Sequence, residues 1–229
     1  MSYVRKITLF VFLVAAVSFA KDGMWNRSPA RLAETSFGIA FENRPRMDEC
    51  LYGAFGEWGT PHFRIDFLSN YSIVDSLYRK VYSEINGGVN GDIFAVGAGY
   101  GNSVEWLQDG SFWDRHQLRF GAAAQMKSLS LRSWVRWFTD DEPEFWGGAY
   151  WDASDSFRLY ARTDGSFLGV GTGLCFSLGC LESSYEFPGF SFSVGIRVAL
   201  GNWNLSGNHG FEGEFLDWNA FSVVRKNKK

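Results

Sequence analysis

The chain has 229 residues, a formal net charge of −3, 3 histidines and 3 cysteines; 18% of it is aromatic, with 26 glycines and 5 prolines. That charge leaves no basic footprint for nucleic acid, and so aromatic a chain is unlike a disordered secreted one. A mean hydropathy of −0.14 excludes a helical membrane protein but not a membrane β-barrel, whose alternating strands average to near neutrality.

The first predicted element is a leader. Arg5 and Lys6 precede the apolar run Ile7 to Val17, and Ser18-Phe19-Ala20 supplies the small residues that signal peptidase reads. A membrane anchor is the alternative, but a spanning helix needs about 20 apolar residues. No cysteine follows Ala20 directly, so no lipoprotein anchor is expected. The expected organisation is a signal peptide over 1–20, a lumenal or periplasmic segment over 21–34, a single β-domain over 35–224 and a basic tail over 225–229.

From Thr35 on, apolar and polar residues alternate with period two, the signature of half-buried strands. Phe37, Ile39 and Phe41 oppose Gly38, Ala40 and Glu42; Phe63, Ile65 and Phe67 oppose Arg64 and Asp66. Phe94, Val96, Ala98 and Tyr100 oppose Gly97 and Gly99; Leu118, Phe120 and Ala122 oppose Gln117, Arg119 and Gly121. Around Thr163-Asp164-Gly165-Ser166, Phe157 and Leu159 oppose Arg158 and Tyr160, then Leu168, Val170 and Leu174 oppose Gly169, Gly171 and Gly173. Phe190 to Leu200 repeats the pattern, with Phe192, Val194, Ile196 and Val198 opposite Ser191, Ser193, Gly195 and Arg197. Weaker runs at 50–57, 129–138, 145–152, 180–187 and 211–223 bring the expectation to roughly 10–12 strands. Asn86-Gly87-Gly88, Asp109-Gly110 and Phe187-Pro188-Gly189 read as turns. One segment differs: Ile73, Val74, Leu77, Tyr78, Val81, Tyr82 and Ile85 recur at three and four, predicting a short amphipathic helix near 72–86, with an irregular strand as the alternative. Cys175 and Cys180 flank a tight Phe-Ser-Leu-Gly link and are candidates for a cross-hairpin disulfide; small residues filling strand positions are the competing reading.

Alternation alone does not say which face is inside. Runs of eleven or twelve residues at 115–126 and 190–200 exceed the ~5–6 of soluble strands and match the ~9–11 of membrane strands. The polar face carries Arg64, Arg119, Arg132, Arg136, Arg158, Arg162 and Arg197 with Glu42, Asp66, Glu182 and Glu186 among Gly and Ser, as a confined lumen with paired charges requires. Trp106, Trp113, Trp137, Trp146, Trp151, Trp203 and Trp218 fall near expected strand ends, where indoles suit the headgroup region. The expected fold is all-β: a closed antiparallel transmembrane β-barrel in a Gram-negative outer membrane, apolar face toward lipid. A secreted or periplasmic β-sandwich with an aromatic carbohydrate platform is the alternative.

Trp25-Asn26-Arg27-Ser28-Pro29-Ala30-Arg31-Leu32-Ala33, just before the first strand, resembles the N-terminal segment of outer-membrane proteins of the long-chain fatty-acid transporter and PorV-type families. Gly97-Ala98-Gly99-Tyr100-Gly101 and the Ala199-Leu200-Gly201 to His209 stretch are similar to their glycine-rich strands and a late Leu-Gly…His element. The resemblance implies an N-terminal segment within the lumen of a barrel; no ligand residue carries over.

No enzymatic chemistry is expected. Barrel lipid hydrolases use a Ser/His pair, and the histidines are His62, on the polar face, His116, in the lipid-facing register, and His209, in a Gly/Asn loop. No G-x-S-x-G element is present. Gly97-x-Gly99-x-Gly101 has no helix after it to cradle phosphate, and Asp140-Asp141-Glu142-x-Glu144 reads as a solvated acidic loop. No cofactor or metal is expected. The partners expected are outer-membrane lipid with a small or hydrophobic solute, or a secretion-machinery component, and the role is solute passage or a structural or secretion-accessory one. The arginines and carboxylates of the polar face are the candidate site, a lumen charge network.

Overall fold

The computed structural model describes residues 35–74, 77–139, 141–164, 166–188, 191–212 and 216–226, with backbone alone at 212 and 216. The predicted signal peptide, the segment over 21–34 and Phe190 lie outside the described residues. Fourteen strands follow one another: β1 Ser36–Arg44, β2 Glu49–Gly59, β3 Phe63–Val74, β4 Tyr78–Asn90, β5 Phe94–Leu107, β6 Phe112–Met126, β7 Leu129–Phe138, β8 Glu144–Ser154, β9 Phe157–Thr163, β10 Leu168–Phe176, β11 Gly179–Phe187, β12 Ser191–Leu200, β13 Trp203–Glu212 and β14 Leu216–Lys226. Each pairs antiparallel with its neighbours in sequence, and β14 returns to β1, with Ile39 opposite Val223 and Phe41 opposite Phe221. Closure leaves no free edge, which is how a sheet satisfies its backbone without water. The single closed sheet rules out a two-sheet sandwich.

The cross-strand register aligns all fourteen strands into one inward and one outward set. Gln117 and Arg119 point inward and are buried, whereas Leu118 and Phe120 between them point outward and are about half exposed. The same holds for buried Arg64, Asp66 and Leu68 against exposed Phe63, Ile65 and Phe67. Apolar side chains therefore cover the outside and polar ones the inside, the reverse of a soluble barrel and the polarity of one built for a bilayer. One small apolar cluster lies inward, Ala40, Phe55 and Leu68 with Tyr82 and Val224 against it.

The barrel has a lower end, where β1 begins, β14 stops and the turns hold two or three residues, and an upper end with turns of up to five. Outward aromatics form a girdle at each: Phe37, Trp58, Phe63, Phe94, Trp151 and Trp203 below, and Tyr52, Trp106, Phe112, Trp137, Phe145 and Phe211 above. Phe94 and Trp106 on β5 are ~40 Å apart along the strand, or ~30 Å along the axis at a tilt of ~40°, about one hydrocarbon thickness. At the lower girdle Phe37 meets Trp203 edge-on at 6.4 Å, and the Arg225 guanidinium lies 5.7 Å from the Trp203 ring.

Four expectations are corrected. There is no helix over 72–86: Ser72–Val74 ends β3 and Tyr78–Ile85 begins β4, joined through Leu77. The three-and-four spacing arose because both faces of this hairpin carry apolar surface, with Ile73, Val81 and Ile85 outward and Val74, Tyr78 and Tyr82 inward. Asn86-Gly87-Gly88 lies within β4 rather than in a turn, Asn86 inward and buried. The strand count is fourteen, not 10–12, because the supposed helix is mostly β4 and the run read at 211–223 covers parts of two strands, β13 and β14. Trp113, Trp146 and Trp218 are not girdle residues; all three point inward, Trp113 opposite Glu105 and Trp146 stacked on Trp134 at 5.7 Å.

Candidate functional site: the charged interior

Sorting the inward charges by strand shows that they are not mixed evenly. Strands β1 to β5 contribute Glu42, Glu49, Glu57, Asp66, Glu84 and Glu105 against Arg44, Arg64 and Lys80. Strands β6 to β9 contribute Arg115, Arg119, Arg132, Arg136, Arg158 and Arg162 against Glu144 and Asp152. The rest of the wall is mostly small or neutral: Gly169, Gly171 and Gly173 on β10, Ser184 on β11, Ser191 and Ser193 on β12. Glu182, Glu186, Arg197 and Lys226 are the charges there among the described side chains. An acidic arc thus meets a basic arc, with a low-profile third arc completing the circle.

The two charged arcs join across β5. Glu84 on β4 receives Arg119 from β6, two strands away, and both side chains are almost wholly buried. The gap is bridged because β5 presents Gly99 and Gly101 inward; a β-carbon on Gly101 would lie 2.6 Å from Gln117 Nε2 and 2.8 Å from the Tyr82 hydroxyl. Around this pair Tyr82 donates to Glu84, Gln117 donates to Tyr82, and Asn86 Nδ2 donates to both Asp66 (2.8 Å) and Glu84 (2.5 Å). Asp66 in turn pairs with Arg64 at 2.9 Å. Removing one partner from so buried a pair costs about 3–5 kcal/mol, because the other charge is left without compensation.

A second bridge crosses β10 in the same way. Arg162 on β9 reaches Glu186 on β11 over Gly169, and Tyr160 donates to the Ser183 carbonyl at 3.3 Å over Gly171. A β-carbon on Gly169 would come within 2.9 Å of Arg162 Nε. Arg197 pairs with Glu182 at 2.5 Å across the β11–β12 pair.

The mouths carry the rest. At the upper end Lys80 pairs with Glu105 at 2.6 Å, Arg136 with Glu144, and Arg115 with Asp141 at 3.4 Å, while Ser72 donates to Glu49 at 3.1 Å. At the lower end Arg158 pairs with Asp152 beside a cavity of about 450 Å³ that Cys175 and Lys127 also line. Cys175 and Cys180 face one another across the β10–β11 hairpin and are joined by a disulfide; Cys50 is free. Arg132 donates to Ser130 at 3.4 Å and lies over the Tyr150 ring at 4.8 Å.

Of the residues singled out in the sequence, Arg64 thus meets Asp66, Arg162 meets Glu186 and Arg197 meets Glu182. Arg119, Arg132, Arg136 and Arg158 find partners the sequence reading did not name. Glu84 and Lys80 were missed with β4, Glu105 with the end of β5 beyond Tyr100, and Glu57 with the weak run at 50–57; strict parity carried from Arg64 through the β3–β4 hairpin is the signal that finds Glu84. The histidines lie apart: His62 in the β2–β3 turn, His116 outward on β6 and His209 outward within β13 rather than in a loop, the last two near the upper end and bonded to Tyr100 (2.5 Å) and Asn219 (2.9 Å). Among the described residues no cluster of three His, Cys, Asp or Glu could hold a metal.

No known family model and no curated protein sequence matches the chain. Solved structures do. A KdgM porin superposes with a TM-score of 0.50 at 11% identity, over 84% of this chain and 99% of that one. The outer membrane protein Omp33 of Acinetobacter baumannii superposes with a TM-score of 0.56 at 9% identity, over 86% and 100%. The fold is a porin-type barrel. At these identities the likeness speaks for architecture. The narrower resemblance to fatty-acid transporters and PorV-type barrels is not supported by these neighbours, and Trp25 to Ala33, its main basis, lies outside the described residues.

Proposed function

We propose that this chain is an outer-membrane porin-like barrel that passes small polar solutes, and that its interior charge network sets which ones. The single observation that carries the reading is the register: one closed sheet puts apolar residues and two aromatic girdles outside and arginine–carboxylate pairs inside. A Gram-negative outer membrane is the home that fits such a surface, with the short-turn end toward the periplasm. Opposite net signs on the two arcs nearly cancel overall while setting up a field across the lumen. The expected channel therefore discriminates weakly between simple cations and anions and responds to how charge is arranged on a solute.

The test is refolding into lipid, a heat-modifiable shift in gel mobility, and single-channel conductance in a planar bilayer. Discrete conductance with a small reversal potential in a salt gradient is the expected result. A heat-modifiable barrel that never conducts would refute passage and favour a structural or secretion-accessory role. A monodisperse protein soluble without detergent would refute the membrane placement itself.

A further inference from the structure

A cavity of about 250 Å³ opens at the upper mouth, with Glu49, Ser72, Tyr82, Arg115, Gln117 and Arg136 in its lining. It sits where the two arcs meet: Glu49 comes from β2, Arg115 and Arg136 from β6 and β7. Gln117 is 3% exposed, and its Oε1 has no hydrogen-bond partner. The amide orientation is fixed chemically, because Tyr82 spends its proton on Glu84 and must accept from Gln117 Nε2. A buried acceptor is therefore left waiting for a donor, an arrangement that disfavours the empty site.

We propose that this cavity is a subsite for a small zwitterion carrying one ammonium and one carboxylate, of amino-acid to dipeptide size. The assignment rests on the passage reading for its role, though not for its chemistry. The ammonium donates to Gln117 Oε1 and to Glu49, whose carboxylate keeps lone pairs beyond those used by Ser72 and by Arg44 at 3.5 Å. The carboxylate lies between Arg115 and Arg136. Their resting partners Asp141 and Glu144 sit on the open rim, 52% and 44% exposed at the side chain, and such exposed pairs are weak, so exchange is easy. Lys80 is held by Glu105 at 2.6 Å and contributes field rather than a contact. A plain anion of the same size meets Glu49, and a plain cation meets both arginines.

The experiment is calorimetric titration of the refolded, heat-modifiable barrel in detergent with glycylglycine, N-acetylglycine and glycinamide. Glycylglycine is expected to bind at least about tenfold more tightly than either singly charged probe, a difference of about 1.4 kcal/mol. Glu49→Gln is expected to bring N-acetylglycine level with glycylglycine, and Arg136→Gln to bring glycinamide level, each checked for heat-modifiable folding. Equal binding of all three probes to the wild type, or no binding by a folded barrel, overturns the subsite. Binding without conductance supports the subsite and refutes passage, so the two failures are separable.

Discussion

An arginine moved along the outward face of β6 should report the bilayer depth profile directly. Phe120 is outward, about half exposed, and flanked in register by Ala98 and Val135. Met126 lies six residues toward the lower end and Phe112 eight toward the upper. At ~3.3 Å per residue and ~40° of tilt, Phe120 is ~15 Å from one rim and ~20 Å from the other, near the midplane. Phe120→Arg should therefore cost about 2–4 kcal/mol from charge in hydrocarbon, and Met126→Arg and Phe112→Arg about 0–1 kcal/mol each. Alanine at each position isolates the charge contribution from lost side-chain contact. The assay is equilibrium denaturant unfolding from phosphatidylcholine vesicles, read as the shift in midpoint at constant slope. A flat profile across the three sites, or Phe120→Arg no worse than Phe120→Ala, would refute the assignment of this face to lipid.

Arg119→Met should destabilise by about 3–5 kcal/mol by stranding Glu84, and adding Glu84→Gln should recover much of that loss in a double-mutant cycle. Gly171→Ala should cost about 1–3 kcal/mol, since the new methyl overlaps the Tyr160 ring and the Ser183 carbonyl, whereas Gly207→Ala meets nothing within 4 Å and should be tolerated. The paired change Cys175→Ser with Cys180→Ser closes no loop in the unfolded chain and should cost at most about 2 kcal/mol, measured as the shift in denaturant midpoint; failure to form a barrel would contradict it.

The barrel was legible because a bilayer imposes period two on every strand. Twelve runs could be read from alternation, and the boundaries at 129–138 and 168–176 match the strands found. What escaped was the β3–β4 hairpin. Its inward face carries Tyr78 and Tyr82, whose rings look apolar in a sequence while their hydroxyls belong to the polar interior; Tyr82 donates to Glu84. Apolarity on both faces erases period two and leaves spacings of three and four. Trp113, Trp146 and Trp218 misled for a related reason, since an indole near a strand end suits a headgroup girdle and an inward position equally well.

The charge network was half legible, and the missing half has a geometric cause. A sequence sorts residues by parity, so it names the inward arginines; it does not name partners, because those are set by cross-strand register. Adjacent-strand pairs such as Arg197 with Glu182 follow once register is known. Arg119 with Glu84 and Arg162 with Glu186 skip a strand, and they do so only where the strand between presents glycine inward. The glycines of β5 and β10 are therefore part of the electrostatics although they carry no charge. A single methyl at Gly101 would press on Gln117 and the Tyr82 hydroxyl, displacing the amide that lines the upper cavity. Gly101→Ala should accordingly weaken glycylglycine binding at the mouth while leaving every charged residue in place. Unchanged binding in a folded Gly101→Ala barrel would mean that Gln117 has no part in the subsite.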